Sequence, residues 1–196
     1  MRGNQTMKKT CFVVMPFSQT NDRHTEAYWT SFFSIIKRVM EQLGYDSRRS
    51  EVGPYKLFTN IVNRIESSDL VVAVLTDFNA NVWYELGIRH TLRNSTVMLL
   101  QQGQKAPFDI SDYGIIFYED SINLEQELKV KIADYLNNCN PHLSDSPVLT
   151  ALDTKKITQI ENEKNEYKSL LDSLRDILNE HQNFSSSQTA RKNILW

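Results

Sequence analysis

Cysteine is scarce in this chain: only Cys11 and Cys139 occur among 196 residues, and they form no spacing motif. That excludes a disulfide framework and suits a reducing cytoplasm, the expected location. Two distant cysteines and four scattered histidines cannot assemble a structural zinc site, so no metal is expected. Neither G-x-x-x-x-G-K-[ST] nor G-x-G-x-x-G occurs, which leaves P-loop and dinucleotide-redox readings without support. No stretch approaches the roughly 18 apolar residues of a membrane span. The polar N-terminus MRGNQTMKKT precedes only about five apolar residues, too few for a signal peptide. An excess of one charge is missing as well: 22 basic residues against 24 acidic ones leave a net charge of −2. Nucleic acid held through bulk charge is therefore not an expected partner, and neither is a membrane, while a local site for one small anion stays open.

What is present is an alternation of short apolar runs and amphipathic stretches. Residues 10–17, TCFVVMPF, read as a buried strand ended by proline, followed by a loop to Thr25. Over 25–43, Tyr28, Phe32, Ile35, Ile36, Val39, Met40 and Leu43 recur at helical spacing, and Gly44 stops the helix. A brief strand at 45–49, a break at Gly53–Pro54 and a helix over 55–67 follow, the helix carrying Leu57, Phe58, Ile61, Val62 and Ile65 on one side. Residues 69–76, DLVVAVLT, are apolar without alternation, the mark of a central parallel strand covered on both faces. A polar loop over 77–81, a helix over 82–93, strands at 96–100 and 114–118 and a helix over 122–136 complete the pattern. Strand and helix alternate five times, which predicts an α/β fold with a doubly wound, five-stranded parallel sheet. Ligands of such sheets sit outside the carboxyl ends of the strands, so function is expected in the loops after Val14, Thr76 and Leu100.

Residues 8–140 are thus one domain, and 141–150, with prolines, serines and aspartates, read as a linker. From 151 to 183 the sequence changes character. Ile157, Ile160, Lys164, Tyr167, Leu171, Leu174, Leu178 and His181 alternate spacings of three and four over about four heptads. The stretch is either a coiled coil that makes a homo-oligomer or an amphipathic helix packed on the core. Residues 184–196 are polar and read as a flexible tail.

The segment DLVVAVLTDFNANVWYELGIRH carries the chemistry. A buried strand ends in a polar loop, and Asn79 or Asn81 is a suitable N-cap for the next helix. Glu85 then lies on or just after the first turn, a carboxylate beside amides that attract phosphate. That pairing suits cleavage of an N-glycosidic bond: the carboxylate stabilises or traps the oxocarbenium-like sugar, and the amides hold a 5′-phosphate. The plain alternative is a first-turn glutamate that complements the helix dipole. Asp69 reads as a structural turn residue, His90 as a surface or packing residue and Cys11 as inert. His24 lies in a loop within reach of the site, and one of Trp83 and Tyr84 is placed to stack on a base while the other packs. Asp109 and Asp112 read as turn or capping residues.

CFVVMPFS together with SDLVVAVLTDFNANVWYELGIRH resembles a bacterial TIR-like group that is also related to nucleoside 2-deoxyribosyltransferases and nucleotide N-glycosidases. The group shows an MPF-type first loop and an N-P-N-V-x-Y-E-L-G string; the likeness spans residues 10 to about 118, including PFDISDYGIIFY, and leaves out the C-terminal helix. The resemblance implies a flavodoxin-like, TIR-like fold with Glu85 as the catalytic glutamate. It further implies that Met15, Pro16, Phe17 and Ser18 line the sugar side, joined by Arg49, Asp77, Asn79, Asn81, Trp83 and Tyr84 as substrate contacts. Arg48 or Arg49, with Glu51, stands near an arginine-acid pair of the group. There are departures: Val74 replaces an aspartate, Ala80 a proline, Asn79 an acid, and Ile61 stands where deoxyribosyltransferases carry a catalytic aspartate. The implied function is cleavage of NAD or a related nucleotide, taken as substrate with no cofactor, in bacterial antiviral defence. A non-catalytic nucleotide sensor and a deoxyribosyltransferase or nucleoside monophosphate glycosidase are the alternatives. A homo-oligomer through the C-terminal helix, and a sensor protein, are the implied protein partners.

Overall fold

The computed structural model describes residues 8–49, 57–138 and 144–192. Glu51, the Gly53–Pro54 break, Cys139 and the last residues of the tail lie outside the described residues. Five parallel strands, β1 (Lys9–Val14), β2 (Tyr45–Arg49), β3 (Leu70–Val74), β4 (Thr96–Gln101) and β5 (Ile115–Tyr118), form one sheet in the order β2-β1-β3-β4-β5. β3 is central, as its unbroken apolar run requires, with all five residues buried. Its register sets Leu70 against Cys11 on one side and Val71 against Thr96 on the other. Asp69 pins the start of this ladder, accepting from the Thr10 amide at 2.7 Å and the Thr10 hydroxyl at 3.0 Å.

Successive strand residues point to opposite faces, so the sheet builds two cores. On one face Cys11, Val13, Val72, Val74, Val97 and Leu99 pack against α1 (Glu26–Gln42) and α4 (Leu124–Asn138). On the other, Phe12, Val14, Val71, Ala73, Met98 and Leu100 pack against α2 (Leu57–Ser67) and α3 (Ala80–Leu92). Trp29, Phe32 and Ile36 of α1 are fully enclosed, each worth about 1.5–3 kcal/mol of apolar burial. Thr25 caps α1 by accepting from the Tyr28 amide, and Gly44, at φ 89°, supplies the left-handed residue that turns the chain into β2.

The buried Arg89 closes the other face. Its guanidinium donates to the carbonyls of Ile65, Ser68, Asn94 and Ser95, tying the end of α2 to the start of β4. Burial pushes its pKa down to about 10, which leaves it charged at neutral pH.

Three expectations need correction. α3 begins at Ala80 rather than Val82, because the cap is Asn79 and not Asn81. The described part of the 141–150 segment is not a free linker. The Asp145 carboxylate accepts from the amides of Ser95 and Thr96, and the buried Ser146 hydroxyl donates to the His90 carbonyl. Ser146 also accepts from the Leu149 amide, so with Pro147 in the first helical position it starts α5 (Pro147–Lys192), ahead of the expected 151. Finally, α5 runs through Lys192, so residues 184–192 are helical rather than a flexible tail. After Pro147 the sequence has neither glycine nor proline to end a helix. The chain divides into two compact units, Met1–Thr150 and Ala151–Trp196. Among the described residues no helix is long and apolar enough to cross a membrane.

Candidate functional site

β1 delivers Met15, Pro16, Phe17 and Ser18 to the carboxyl edge of the sheet. A crossover helix runs antiparallel to the strands, so its first turn arrives at the same edge; α2 thereby contributes Phe58 and Ile61. α3 contributes Asn79, Asn81, Val82, Tyr84 and Glu85. These residues line one cavity of about 400 Å³. Glu85 is half-buried, and among the described residues no hydrogen bond or ion pair reaches its carboxylate. Burial alone pushes its pKa from 4.5 up to about 7. A carboxyl group poised near neutrality, without a structural partner, in a cavity at the functional edge of an α/β sheet is the arrangement expected of a reacting group.

Polar and aromatic side chains surround it unevenly. Asn79 takes the N-cap role: its side-chain oxygen accepts from the amides of Asn81 at 3.0 Å and Val82 at 3.4 Å. Those amides were the expected phosphate cradle, and the cap now occupies them. At the cavity mouth the rings of Phe58 and Tyr84 meet at 5.9 Å with a 36° tilt, and both are more than half exposed. Together they form an aromatic ledge next to Glu85. Phe58 belonged to the apolar stripe of α2 in the sequence. The available signal was its place on the first turn of a crossover helix, where an apolar residue projects beyond the sheet.

Three expected substrate contacts do not line this cavity. Trp83 stacks on Phe78, centroids 6.3 Å apart and rings 9° from parallel, and packs against the α2–α3 core. Tyr84 is therefore the flanking aromatic that faces the cavity. The Arg49 guanidinium lies over the rings of Phe17 at 5.5 Å and Phe33 at 4.9 Å. It backs Phe17 from the α1 side of the sheet, and its buried Nη1 has no hydrogen-bond partner among the described residues.

Asp77 is committed elsewhere. Its carboxylate accepts from the Thr20 hydroxyl at 2.5 Å, the Asn21 amide at 2.7 Å, His24 Nδ1 at 2.6 Å and the Gln104 amide at 3.1 Å. Burial works against the charge, but the hydrogen bonds from Thr20, His24 and Gln104 outweigh it and hold the carboxyl below its usual range. The backbone is left-handed at both Asp77 and Phe78, with φ 64° and 55°, a costly conformation that this ring of donors maintains. His24 is buried against Tyr28 and Trp29 and does not reach the Glu85 cavity. The Asp77 cluster thus ties the loop after β1 to the loop after β3. The same β1 loop supplies Met15–Ser18, so the cluster positions one wall of the cavity. It also borders a polar hollow of about 640 Å³ that includes Gln101 and Asp120.

A larger hollow of about 790 Å³ lies along edge strand β5 and α4. Its lining residues Asn138 and Ser144 flank 139–143, outside the described residues, and it shares no lining residue with the Glu85 cavity. His90 is buried, as a packing residue would be, and burial lowers its pKa. Burial pushes the Cys11 thiol up to about 12, which makes it inert. Among the described residues no group of three or more His, Cys, Asp or Glu side chains is placed to hold a metal ion.

No protein-family model and no curated protein matches the chain. Among solved structures, a 2-deoxyribosyltransferase from the psychrotolerant bacterium Bacillus psychrosaccharolyticus is similar with a TM-score of 0.46 and 18% identity, covering 61% of this chain and 90% of that one. At that distance the likeness concerns architecture alone.

Proposed function

We propose that the chain cleaves the N-glycosidic bond of a nucleoside or nucleotide at the cavity around Glu85. The observation that supports this most is the isolated, desolvated Glu85 carboxylate next to the Phe58–Tyr84 ledge. On this reading a planar base lies against the ledge and the sugar faces Glu85. As the bond from the base nitrogen to the anomeric carbon breaks, its electron pair leaves with the base. The Glu85 carboxylate either stabilises the positive sugar or forms an ester to the anomeric carbon, which water then opens to free sugar.

The described lining favours one leaving group over another. A purine or an ordinary pyrimidine needs a proton to leave as a neutral base, and no second carboxyl lines the described cavity; Asn79 and Ile61 stand at the two positions where the resembled enzymes carry acids. A pyridinium base leaves as a neutral molecule without one. This supports NAD as substrate and a TIR-like NAD hydrolase as the finer reading. The role in antiviral defence, through NAD loss in an infected cell, belongs with that substrate. Incubation with NAD, deoxynucleosides and nucleoside monophosphates, followed by chromatography, tests the proposal. Release of nicotinamide from NAD is expected, with little base from the others; absence of base release from every member would contradict it.

Ile61 also supports a second reading, in which the cavity binds a nucleotide without turnover and the domain acts as a sensor. Calorimetric binding of NAD combined with unchanged NAD after long incubation would favour that reading over catalysis.

A further inference from the structure

Among the described residues of helix α5 several large apolar side chains stand exposed. At 1.5 Å per residue its 46 residues extend about 69 Å, far longer than a single core element. Ile160, Tyr167, Leu170 and Leu171 are between 57% and 67% exposed. Placed on the heptad, Ile160 and Tyr167 fall at d, Lys164 and Leu171 at a, and Leu170 at g. The sequence continues the seam through Leu174 at d and Leu178 at a. A single helix with such a seam is marginal in water, and a second helix of the same period covers it.

The charges flanking the seam select the occupant. In a parallel, in-register pair each g residue faces the e residue five positions on in the other chain. Glu163 at g then meets Lys168 at e, and Lys156 at g meets Glu161 at e; both pairings are opposite in sign. Because the two chains are identical, each attraction occurs twice. Lys164 at a adds a register mark, since a charged residue inside the seam is tolerated where its twin lies beside it in a two-stranded coil and its stem reaches solvent. We infer that α5 pairs with α5 of a second copy of this chain as a parallel, in-register two-stranded coiled coil. The pairing stands independently of the chemistry proposed for Glu85. It brings two copies of the chain into one assembly, which therefore carries two Glu85 cavities.

Light scattering on the full chain after size exclusion is expected to give twice the 22.8 kDa of one chain. Glu163→Lys replaces the two copies of the Glu163–Lys168 attraction by Lys–Lys contacts, leaves the Lys156–Glu161 pairing intact and is expected to weaken dimerisation by on the order of tenfold. Adding Lys168→Glu in the same chain is expected to restore it, with far-ultraviolet circular dichroism unchanged throughout. Orientation is read separately. Tyr167→Cys places thiols face to face in the in-register parallel pair, so mild oxidation should give a covalent dimer that the unsubstituted chain does not form. A monomer at tens of micromolar would overturn the inference, as would a higher oligomer, failure of the double reversal to restore the dimer, or a dimer that Tyr167→Cys does not cross-link.

Discussion

Ionising Glu85 opposes folding. Its carboxyl titrates near 4.5 in an unfolded chain and is pushed up to about 7 in the fold by burial. Below the first value both states hold the proton and the residue leaves stability unchanged. Above the second both have lost it, and the folded state alone bears the desolvation. Glu85→Gln is therefore expected to be more stable than the unsubstituted chain by about 1–2 kcal/mol at pH 8, allowing for solvent access that weakens the full effect, and equal to it at pH 4. Urea unfolding at the two pH values measures this. Asp77 has the opposite sign. Its carboxyl is held low, so its contribution is present above pH 3.8 and lost as acid protonates it. Asp77→Asn keeps the shape but removes the charge that gathers four donors, and a loss of about 2–3 kcal/mol is expected in the same experiment. Because the cluster positions the β1 loop, KM for a substrate of the Glu85 cavity is expected to rise more than kcat falls.

The elements differ in how far the sequence announces them. DLVVAVLT announces the central strand by its composition, and the helical spacing of Phe32, Ile36, Val39 and Met40 belongs to a helix enclosed on one side, where the structure adds Trp29, which that spacing left out in favour of Tyr28. Ser146 and Asp145 announce nothing, because their partners, the His90 carbonyl and the amides of Ser95 and Thr96, are backbone groups some fifty residues away. Arg89 is the same kind of case. Nothing in Y-E-L-G-I-R-H marks its arginine out, yet it satisfies four carbonyls where α2 ends and β4 begins. Arg89→Met fits the space but leaves those carbonyls unpaired, and a loss of about 3–5 kcal/mol is expected, seen as a fall in melting temperature. At the cavity, the place of Glu85 near a helix start beside a strand end follows from local features, whereas Met15–Ser18, Asn79 and Tyr84 entered as contacts through the resemblance, and the structure sets them around the same cavity. Phe58 and the diversion of Asp77 to Thr20, Asn21, His24 and Gln104 were not legible, since both depend on which loops meet at the sheet edge.

As a whole, the chain separates a compact α/β unit from a long helix with its own pattern. The strand–helix alternation ends by Asn138 and the heptad signal begins beyond Thr150, where the two units divide, although the helix itself already starts at Pro147. That division predicts that a chain ending at Thr150 folds with a melting temperature within a few degrees of the full chain and runs as a monomer in size exclusion. The near balance of 22 basic and 24 acidic residues fits this picture. The charges whose surroundings the structure shows act locally: Glu85 alone at the cavity, Asp77 among its donors and Arg89 among its carbonyls.

The most direct test of the central claim is base release by Glu85→Gln, compared with the unsubstituted chain on the best substrate of the panel at pH 8. The account predicts a fall in kcat of about a thousandfold or more, in a protein at least as stable as the original. A kcat within tenfold of the unsubstituted chain would contradict it.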